Sequence, residues 1–142
     1  MIRVFRGKYA FLSNFSASFV QYNGIVFPTV EQAFQAAKTL DKAVQEKFPF
    51  VNSPEDARYY GRRIQLRSDW EFVKDGIMED LIRQKFSEPH YKQLLLDTGE
   101  EYIEEGNTHG DKYWGTVKGE GENRLGKLIM KIRKELQDNV EH

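Results

Sequence analysis

Apolar positions along this chain follow two different repeats, and each repeat predicts a different kind of element. The first 27 residues are rich in aromatic and turn-forming residues, and the pair Asn23-Gly24 separates Phe19–Tyr22 from Ile25–Phe27. Asn and Gly tolerate the positive φ that a two-residue hairpin turn requires, so this segment predicts a β-hairpin. Beyond it, apolar residues recur in steps of three and four, which is typical of helices.

Start and stop signals divide the helical part into six predicted helices. Thr29 opens the first as N-cap, with Gln32 at the capping-box spacing and apolar steps that run to Leu40. Ser53 opens another helix, which is followed by proline at the first helical position and is expected to stop at Gly61. The other four helices are predicted at 41–48, 68–86, 89–97 and 123–137.

The two longest predicted helices each carry a stripe of apolar residues that is expected to face a core. Ser68 and Glu71 have the spacing of a capping box at the start of the first of them. Tyr102-Ile103 is interpreted as a short strand, and 107–121 as a glycine-rich loop. The stripes are Trp70, Val73, Ile77, Leu81 and Phe86 on one helix, and Leu125, Leu128, Ile129, Ile132 and Leu136 on the other.

These elements predict an α+β fold, compact and mainly helical, with a small antiparallel β component. The chain has 142 residues, 39% of them hydrophobic, which is enough to form a core. It contains no internal repeat, low-complexity tract or linker, so we expect one domain over residues 1–142.

Charge and composition narrow the function classes. With 21 basic and 22 acidic residues the net charge is -1, which disfavours a protein that binds duplex DNA through bulk electrostatics, although a local basic patch can still hold a phosphate. The absence of cysteine excludes disulfides, thiolate catalysis and cysteine-based zinc sites. No apolar stretch has the length or flanks of a signal peptide or membrane span, so a cytoplasmic protein is expected.

Motifs for metals and common cofactors are absent from the sequence. It contains no P-loop, dinucleotide fingerprint, nucleophile elbow or paired-histidine metal motif. The three histidines, His90, His109 and His142, lie far apart, and His109 with Asp111 is too small a set to define a metal site. We therefore expect neither a bound metal nor a cofactor.

The first predicted helix carries a line of polar residues along an otherwise small and apolar surface. Glu31, Gln35 and Lys38 lie at i, i+4 and i+7. A carboxylate and an amine close to apolar surface can have pKa values suited to acid–base work. The alternative is that Glu31 only complements the helix dipole.

Further candidates each have a structural alternative. Trp70 is either a core residue or a stacking platform, and Lys74, one turn later, is either a reactive amine or a solvated surface lysine. The cluster Arg62, Arg63 and Arg67 is either a solvated turn or a phosphate clamp, since the guanidinium fork matches phosphate geometry.

The glycine-rich loop that contains Asp111 and Trp114 is either a plain turn or one wall of a site. We favour the wall, because a flexible segment seldom carries a tryptophan without a surface for it to cover.

Several segments occur together in an order that resembles the YbiA-like, or NADAR, domain family across essentially the whole chain. The chain is near the minimum length of the family, with a compressed region between Lys38 and Arg67. The segments are FLSNF at 11–15, TVEQAFQAAK at 29–38, RSDWEFVK at 67–74, KF at 85–86, TG at 98–99, DKYWG at 111–115 and GENRLG at 121–126.

The resemblance implies a compact, mainly helical α+β fold and hydrolysis of a ribose–nitrogen bond. Two substrate classes are attached to the family: phosphorylated ribosylamino-pyrimidine intermediates of riboflavin synthesis, and ADP-ribose linked to guanine bases of nucleic acid, which is removed in an antitoxin role. The active-site residues of the family pattern correspond to Glu31, Trp70 and Asp111. A lysine that forms a Schiff base with the ribose is also implied, and Lys38 and Lys74 are both candidates.

The expected mechanism combines these groups. Glu31 protonates the leaving base or the ring oxygen, Asp111 stabilises the developing cation or activates water, and a lysine amine attacks the anomeric carbon. Substrate contacts are expected from residues that lie in the matching segments or in the basic cluster: Asn14, Phe15, Gln35, Arg62, Arg63, Arg67, Trp70, Trp114, Gly115 and Asn123.

Two alternatives from other classes stay open at this point. One is a non-catalytic module that binds ADP-ribose or a nucleotide through the same aromatic and arginine side chains. The other is a helical interaction domain whose polar residues only cap helices. Oligomeric state is undetermined by the sequence, and no membrane partner is expected.

Overall fold

The computed structural model describes residues 1–140, so that Glu141 and His142 lie outside the described part. Backbone contacts divide the chain into two compact units. One unit is Asn14–Lys85, here called the inner unit, and the other, called the terminal unit, combines the segments before and after it. The expected single domain over residues 1–142 stays a prediction.

The inner unit begins with the predicted β-hairpin. Strands β1 (Val20–Tyr22) and β2 (Ile25–Phe27) pair antiparallel, with Tyr22 opposite Ile25. The two turn residues have positive φ, 52° at Asn23 and 76° at Gly24, which only residues of this kind adopt at low cost. The hairpin prediction is confirmed.

Helix α1 (Val30–Ala36) follows, and Thr29 caps it as predicted, accepting the Gln32 backbone N–H at 3.1 Å. The helix ends earlier than its apolar spacing suggests, because the amides of Lys38 and Thr39 bond to carbonyls three residues back and close the last turn. Leu40 consequently lies outside the helix and is 67% exposed, so the predicted extension of the helical steps to Leu40 is wrong.

The inner unit also contains the helices α2 (Lys42–Gln45) and α3 (Pro54–Gly61). Helix α4 (Trp70–Ser87) begins in this unit, which ends at Lys85. A 3-10 turn lies at Phe48–Phe50. Ser53 caps α3 through the Asp56 N–H at 3.1 Å, as predicted.

Helix α4 begins two residues later than predicted, after Asp69, whose carbonyl accepts the first backbone bonds of the helix. The Glu71 carboxylate binds Lys74 Nζ at 2.6 Å instead of completing the predicted capping box with Ser68. The buried side of the helix is also rotated from the expected stripe: Val73 and Ile77 are only half-buried. The buried positions are Trp70, Met78, Leu81, Ile82, Lys85 and Phe86.

The terminal unit contains a 3-10 turn (Gly7–Leu12) and the helices α5 (Pro89–Leu96) and α6 (Arg124–Val140). The Tyr102-Ile103 segment forms only a single parallel bridge, between Ile103 and Ile2, rather than a strand.

Helices and one antiparallel hairpin make the fold α+β, which confirms the predicted class. Within residues 1–140, no helix combines the length and apolar character that crossing a membrane requires.

Candidate active site

Glu31 lies in the first turn of α1 and is buried, with 6% of its surface exposed. Its Oε1 accepts a hydrogen bond from Gln35 Nε2 at 2.9 Å and lies 3.4 Å from Arg58 Nε. A buried carboxylate requires such partners, because removal from water costs several kcal/mol when it is unpaired. The dipole interpretation alone therefore does not account for Glu31, since a dipole complement needs no burial.

A close approach of α1 and α3 brings Arg58 to Glu31. A β-carbon at Gly61 would overlap the carboxamide of Gln35, so any larger residue here would displace the amide that binds Glu31. Arg58 lies one turn before Gly61 on α3, and its guanidinium also lies 4.7 Å from the centroid of the Phe15 ring. The carboxylate is thus held between an amide of its own helix and an arginine of the next.

Lys38 lies in the turn that follows α1, in the electrostatic field of this cluster. Burial lowers the pKa of its ammonium group, and the Glu31 charge opposes that effect. The positive charges of Arg62, Arg58 and Lys74 lower the pKa further. A lysine with a depressed pKa is neutral more often near neutral pH, and the neutral amine is the nucleophile.

Lys74 has a different environment from Lys38. Its Nζ lies 2.6 Å from Glu71 Oε2, in an ion pair in which the glutamate side chain is 75% exposed. The Lys74 side chain is itself only 15% exposed, and its charge acts on Lys38. The two candidate lysines therefore differ in their partners, since Lys74 is bound to an exposed carboxylate and Lys38 lies in the field of the buried Glu31.

Two side-chain oxygens close to Glu31 are buried without a hydrogen-bond partner among the described residues. They are Asn14 Oδ1 and Gln35 Oε1. The amide nitrogen of Asn14 contacts Met78 Sδ at 3.6 Å, and that of Gln35 is used by Glu31. Buried acceptors left unsatisfied are uncommon, and a ligand with N–H or O–H groups is one way to satisfy them.

Trp70 is 6% exposed and packs on Phe34, with ring centroids 5.0 Å apart and an interplanar angle of 53°. This placement favours the core interpretation of its ring. By packing on Phe34, Trp70 supports α1, the helix that carries Glu31 and Gln35.

The three arginines of the basic cluster do not share one role. Arg67 binds Asp69 through two nitrogens, at 2.6 and 3.1 Å, and also donates to the Tyr22 hydroxyl at 3.0 Å, bonds that raise its pKa. Arg63 donates to the Tyr59 carbonyl at 2.8 Å and stacks on that ring. Arg62 is exposed, and its charge reaches Lys38. Of the three, Arg62 acts on Lys38 through its charge, whereas the Arg67 backbone N–H donates to the Lys38 carbonyl at 2.7 Å.

In the terminal unit, Asp111 organises its own loop. Its Oδ1 accepts the backbone N–H groups of Tyr113 at 3.0 Å and Trp114 at 2.9 Å. Asn107 brackets the same residue, bonding to both the amide and the carbonyl of Asp111. Trp114 is half-buried, and its ring meets Tyr113 edge-on, with centroids 4.9 Å apart.

Gly115 and Asn123 serve the same loop. A β-carbon at Gly115 would overlap the backbone carbonyl and the carboxylate of Glu105. Asn123 has a positive φ of 51°, accepts the Glu105 N–H at 2.9 Å and donates to the Ile103 carbonyl at 3.0 Å. Its carboxamide is committed to the fold, which weighs against a direct substrate contact.

Sequence reasoning missed two charged residues of the inner unit. Arg58 has a signal in hindsight: Ala57 and Gly61, small residues one turn apart, indicate the face of α3 that packs closely on another helix. Lys85 follows Leu81 by four residues on the core stripe of α4, a spacing that predicts burial.

Metal ligands were not expected from the sequence. The part of the chain that the structure describes contains no group of three or more His, Cys, Asp or Glu placed to hold a metal ion. His109 is exposed in its loop, as expected for a solvated histidine.

Comparisons with known proteins identify the family of this chain. The model of the NADAR domain family matches residues 4–137. The N-glycosidase YbiA of Escherichia coli is 39% identical over 132 residues, covering 90% of this chain and 82% of its own. The NMR structure of that protein aligns with a TM-score of 0.82 at 37% identity, over 100% of this chain and 90% of the other.

Two more distant relatives carry names from the N-glycosidase and riboflavin biosynthesis classes. An N-glycosidase of Nostoc punctiforme is 34% identical, over 92% of this chain and 87% of its own. The chloroplastic riboflavin biosynthesis protein PYRR of Zea mays is 36% identical over 90% of this chain, but the match spans only 23% of that protein. The names of the N-glycosidases agree with the predicted enzyme class, a hydrolase that acts on N-glycosyl compounds.

Proposed function

Because this chain belongs to the NADAR domain family, we propose that it hydrolyses a ribosyl N-glycosidic bond with Lys38 as nucleophile and Glu31 as proton carrier. One observation carries the assignment: α1 has a buried carboxylate in its first turn, and the charge of that carboxylate acts on an amine of depressed pKa in the turn that follows the helix. An acid–base group and an activated nucleophile together are what covalent glycoside cleavage requires.

The reaction begins with opening of the ribose ring. Glu31 delivers a proton to the ring oxygen as the bond between that oxygen and the anomeric carbon breaks, leaving the anomeric carbon doubly bonded to the nitrogen of the base. The neutral amine of Lys38 adds to this carbon. A proton passes to the nitrogen of the base, which departs as a neutral amine, and an imine joins Lys38 to the sugar.

Water completes the cycle. It adds to the imine carbon, the lysine amine leaves, and the sugar departs as a free aldehyde that closes to its ring form. One water molecule is consumed, one C–N bond of the substrate is broken, and the lysine is regenerated. Glu31 recovers its proton when water is deprotonated.

The remaining candidates of the inner unit are proposed to bind different parts of the substrate. Asn14 and Gln35 carry buried acceptors and are proposed to bind donor groups of the sugar or base. Arg62 is exposed and suited to a phosphate. Trp114 stays a candidate for stacking on the base from the family resemblance, and within the terminal unit Asp111 holds the loop that carries Trp114.

Phosphorylated ribosylamino-pyrimidines are the first substrate class to test. The name of the maize relative links a protein of this kind to riboflavin biosynthesis. ADP-ribose attached to guanine is the second class, and it rests on the family resemblance alone. The formal net charge of -1 is compatible with either, since a single modified base needs few phosphate contacts.

The experiment is a borohydride trap during turnover, run with each substrate class in parallel and read by peptide mass spectrometry. A sugar adduct is expected on Lys38. Lys38→Met abolishes it, whereas Lys74→Met and the exposed Lys127→Met retain it. An adduct on Lys74 would overturn the nucleophile assignment. Product without any adduct would remove the imine route, and binding of ADP-ribose without product from either class would favour a non-catalytic module.

A further inference from the structure

Lys85 is the most deeply buried charged residue of the inner unit, with 1% of its surface exposed. Its Nζ donates to Ser16 Oγ at 2.7 Å, and burial lowers its pKa to about 7. An amine in this position destabilises a fold relative to an apolar side chain of similar volume. Core packing alone therefore does not explain why lysine occupies the site.

The partner of Lys85 belongs to a segment that contacts the catalytic cluster at two points. The segment is Asn14–Ser16. The Asn14 carbonyl accepts the backbone N–H of Glu31 at 3.1 Å, and the Phe15 ring lies beneath the guanidinium of Arg58. Arg58 in turn lies 3.4 Å from the Glu31 carboxylate.

Helix α4 anchors this segment at both ends. Met78 Sδ contacts the amide of Asn14 at one end, and Lys85 Nζ binds Ser16 at the other, nearly two helical turns further along. The hydrogen bond from the Glu31 N–H to the Asn14 carbonyl satisfies a donor at the start of α1, because the first amides of a helix have no partner within the helix. The segment thus supplies a contact that α1 cannot make for itself.

We propose that Lys85 is a positioning residue, which holds the segment Asn14–Ser16 so that this segment fixes Glu31 and Arg58. In this role Lys85 acts through its bond to Ser16 and not by attack on the substrate. The consequence for catalysis rests on the proposed function, whereas the placement of Glu31 does not.

Amide hydrogen exchange tests the placement without any substrate. In Lys85→Met, the Glu31 amide is expected to exchange at least tenfold faster than in the unchanged protein, while the Ile129 amide of α6 keeps its rate. The melting temperature should stay the same or rise, because Met replaces a buried amine with an apolar side chain. Ser16→Ala removes only the hydroxyl and should also speed Glu31 exchange; if Lys85→Met fails to fold, this variant decides.

Arg133→Met is the matched control. Arg133 is also a buried cation bonded to a hydroxyl, at 2.9 Å from Thr98 Oγ1, but it belongs to the terminal unit. This variant should leave Glu31 exchange unchanged at matched stability. Unchanged exchange at Glu31 in both Lys85→Met and Ser16→Ala would overturn the proposal.

Kinetics then test the consequence of the placement. Lys85→Met is expected to lower kcat about 10- to 100-fold with KM changed less than threefold, because misplacement of a reacting group affects the chemical step. Ser16→Ala should add little to Lys85→Met in the double variant, since both act on one contact. Wild-type protein without hydrolase activity would refute the proposed function while the exchange result still decides the role of Lys85.

Discussion

Glu31 and Asp111 are both carboxylates in family segments, yet the structure holds them in different ways. Glu31 is enclosed by side chains on a helix, with Gln35 and Arg58 as partners. Asp111 sits half-buried in a loop and accepts two backbone N–H groups of that same loop. The Glu31 carboxylate is bound by side chains of two helices, whereas the Asp111 carboxylate is bound by the backbone of its own loop.

The two settings favour different roles. Next to the Glu31 cluster, burial lowers the pKa of the Lys38 ammonium group, and the Glu31 charge opposes that effect. A carboxylate that accepts backbone amides works mainly as an acceptor, a role that a neutral amide oxygen also performs. We therefore expect Glu31 to depend on its charge and proton, and Asp111 to depend on its shape.

The largest expected effect comes from replacing each acid by its amide. Glu31→Gln should lower kcat about 10²- to 10⁴-fold, because a general acid–base group is removed while its size is kept. Asp111→Asn should lower kcat less than about tenfold, since the Asn oxygen can still accept both amides. Steady-state release of the base measures both variants. An equal loss in Asp111→Asn would break the comparison and give Asp111 a direct part in the reaction.

The contrast between these two acids could be only half predicted from the sequence. Helical spacing put Glu31, Gln35 and Lys38 on one line, because that repeat is local. Arg58 was missed, since Ala57 and Gly61 indicate a closely packed face of α3 but do not tell which helix packs against it. The family and the enzyme class came from motifs in order, and the comparisons confirmed both.

A second, smaller effect concerns the stability of the loop. Asp111→Ala should lower the free energy of unfolding by about 1–2 kcal/mol, the usual cost of removing a side-chain acceptor that caps backbone N–H groups. Asp111→Asn should change it by less than about 0.5 kcal/mol. Urea unfolding curves of the two variants measure the difference. If alanine and asparagine prove equally stable, the two amide bonds do not organise the loop.

The ends of the helices, like the site, could be predicted from the sequence only where the signal is local. Caps at Thr29 and Ser53 were predicted correctly, because a cap is settled within four residues. The extension of the first helix to Leu40 was wrong, because α1 ends in a tight turn that Gln45, on the next helix, stabilises by donating to the Thr39 carbonyl at 2.7 Å. Apolar spacing alone does not register a contact that arrives from another element.

The smallest effect is a change in the titration of Lys38. The negative charge of Glu31 raises the Lys38 pKa against the dominant effect of burial, so removing that charge in Glu31→Gln should lower the pKa further. The neutral amine is the nucleophile, so the low-pH limb of kcat/KM should lie below the ordinary lysine range and move to still lower pH in this variant.

Reductive ¹³C-methylation followed by an NMR titration reports the lysine directly, with Lys38→Met to assign its signal. Asp111→Asn is the control, because Asp111 is not among the charges that act on Lys38 in the described chain, and its titration should match the unchanged protein. A rise of the Lys38 pKa in Glu31→Gln would reverse the sign of the coupling. In that case the carboxylate and the amine would not work as a pair, and the distinction between a reactive acid in α1 and a supporting acid in the loop would lose its electrostatic basis.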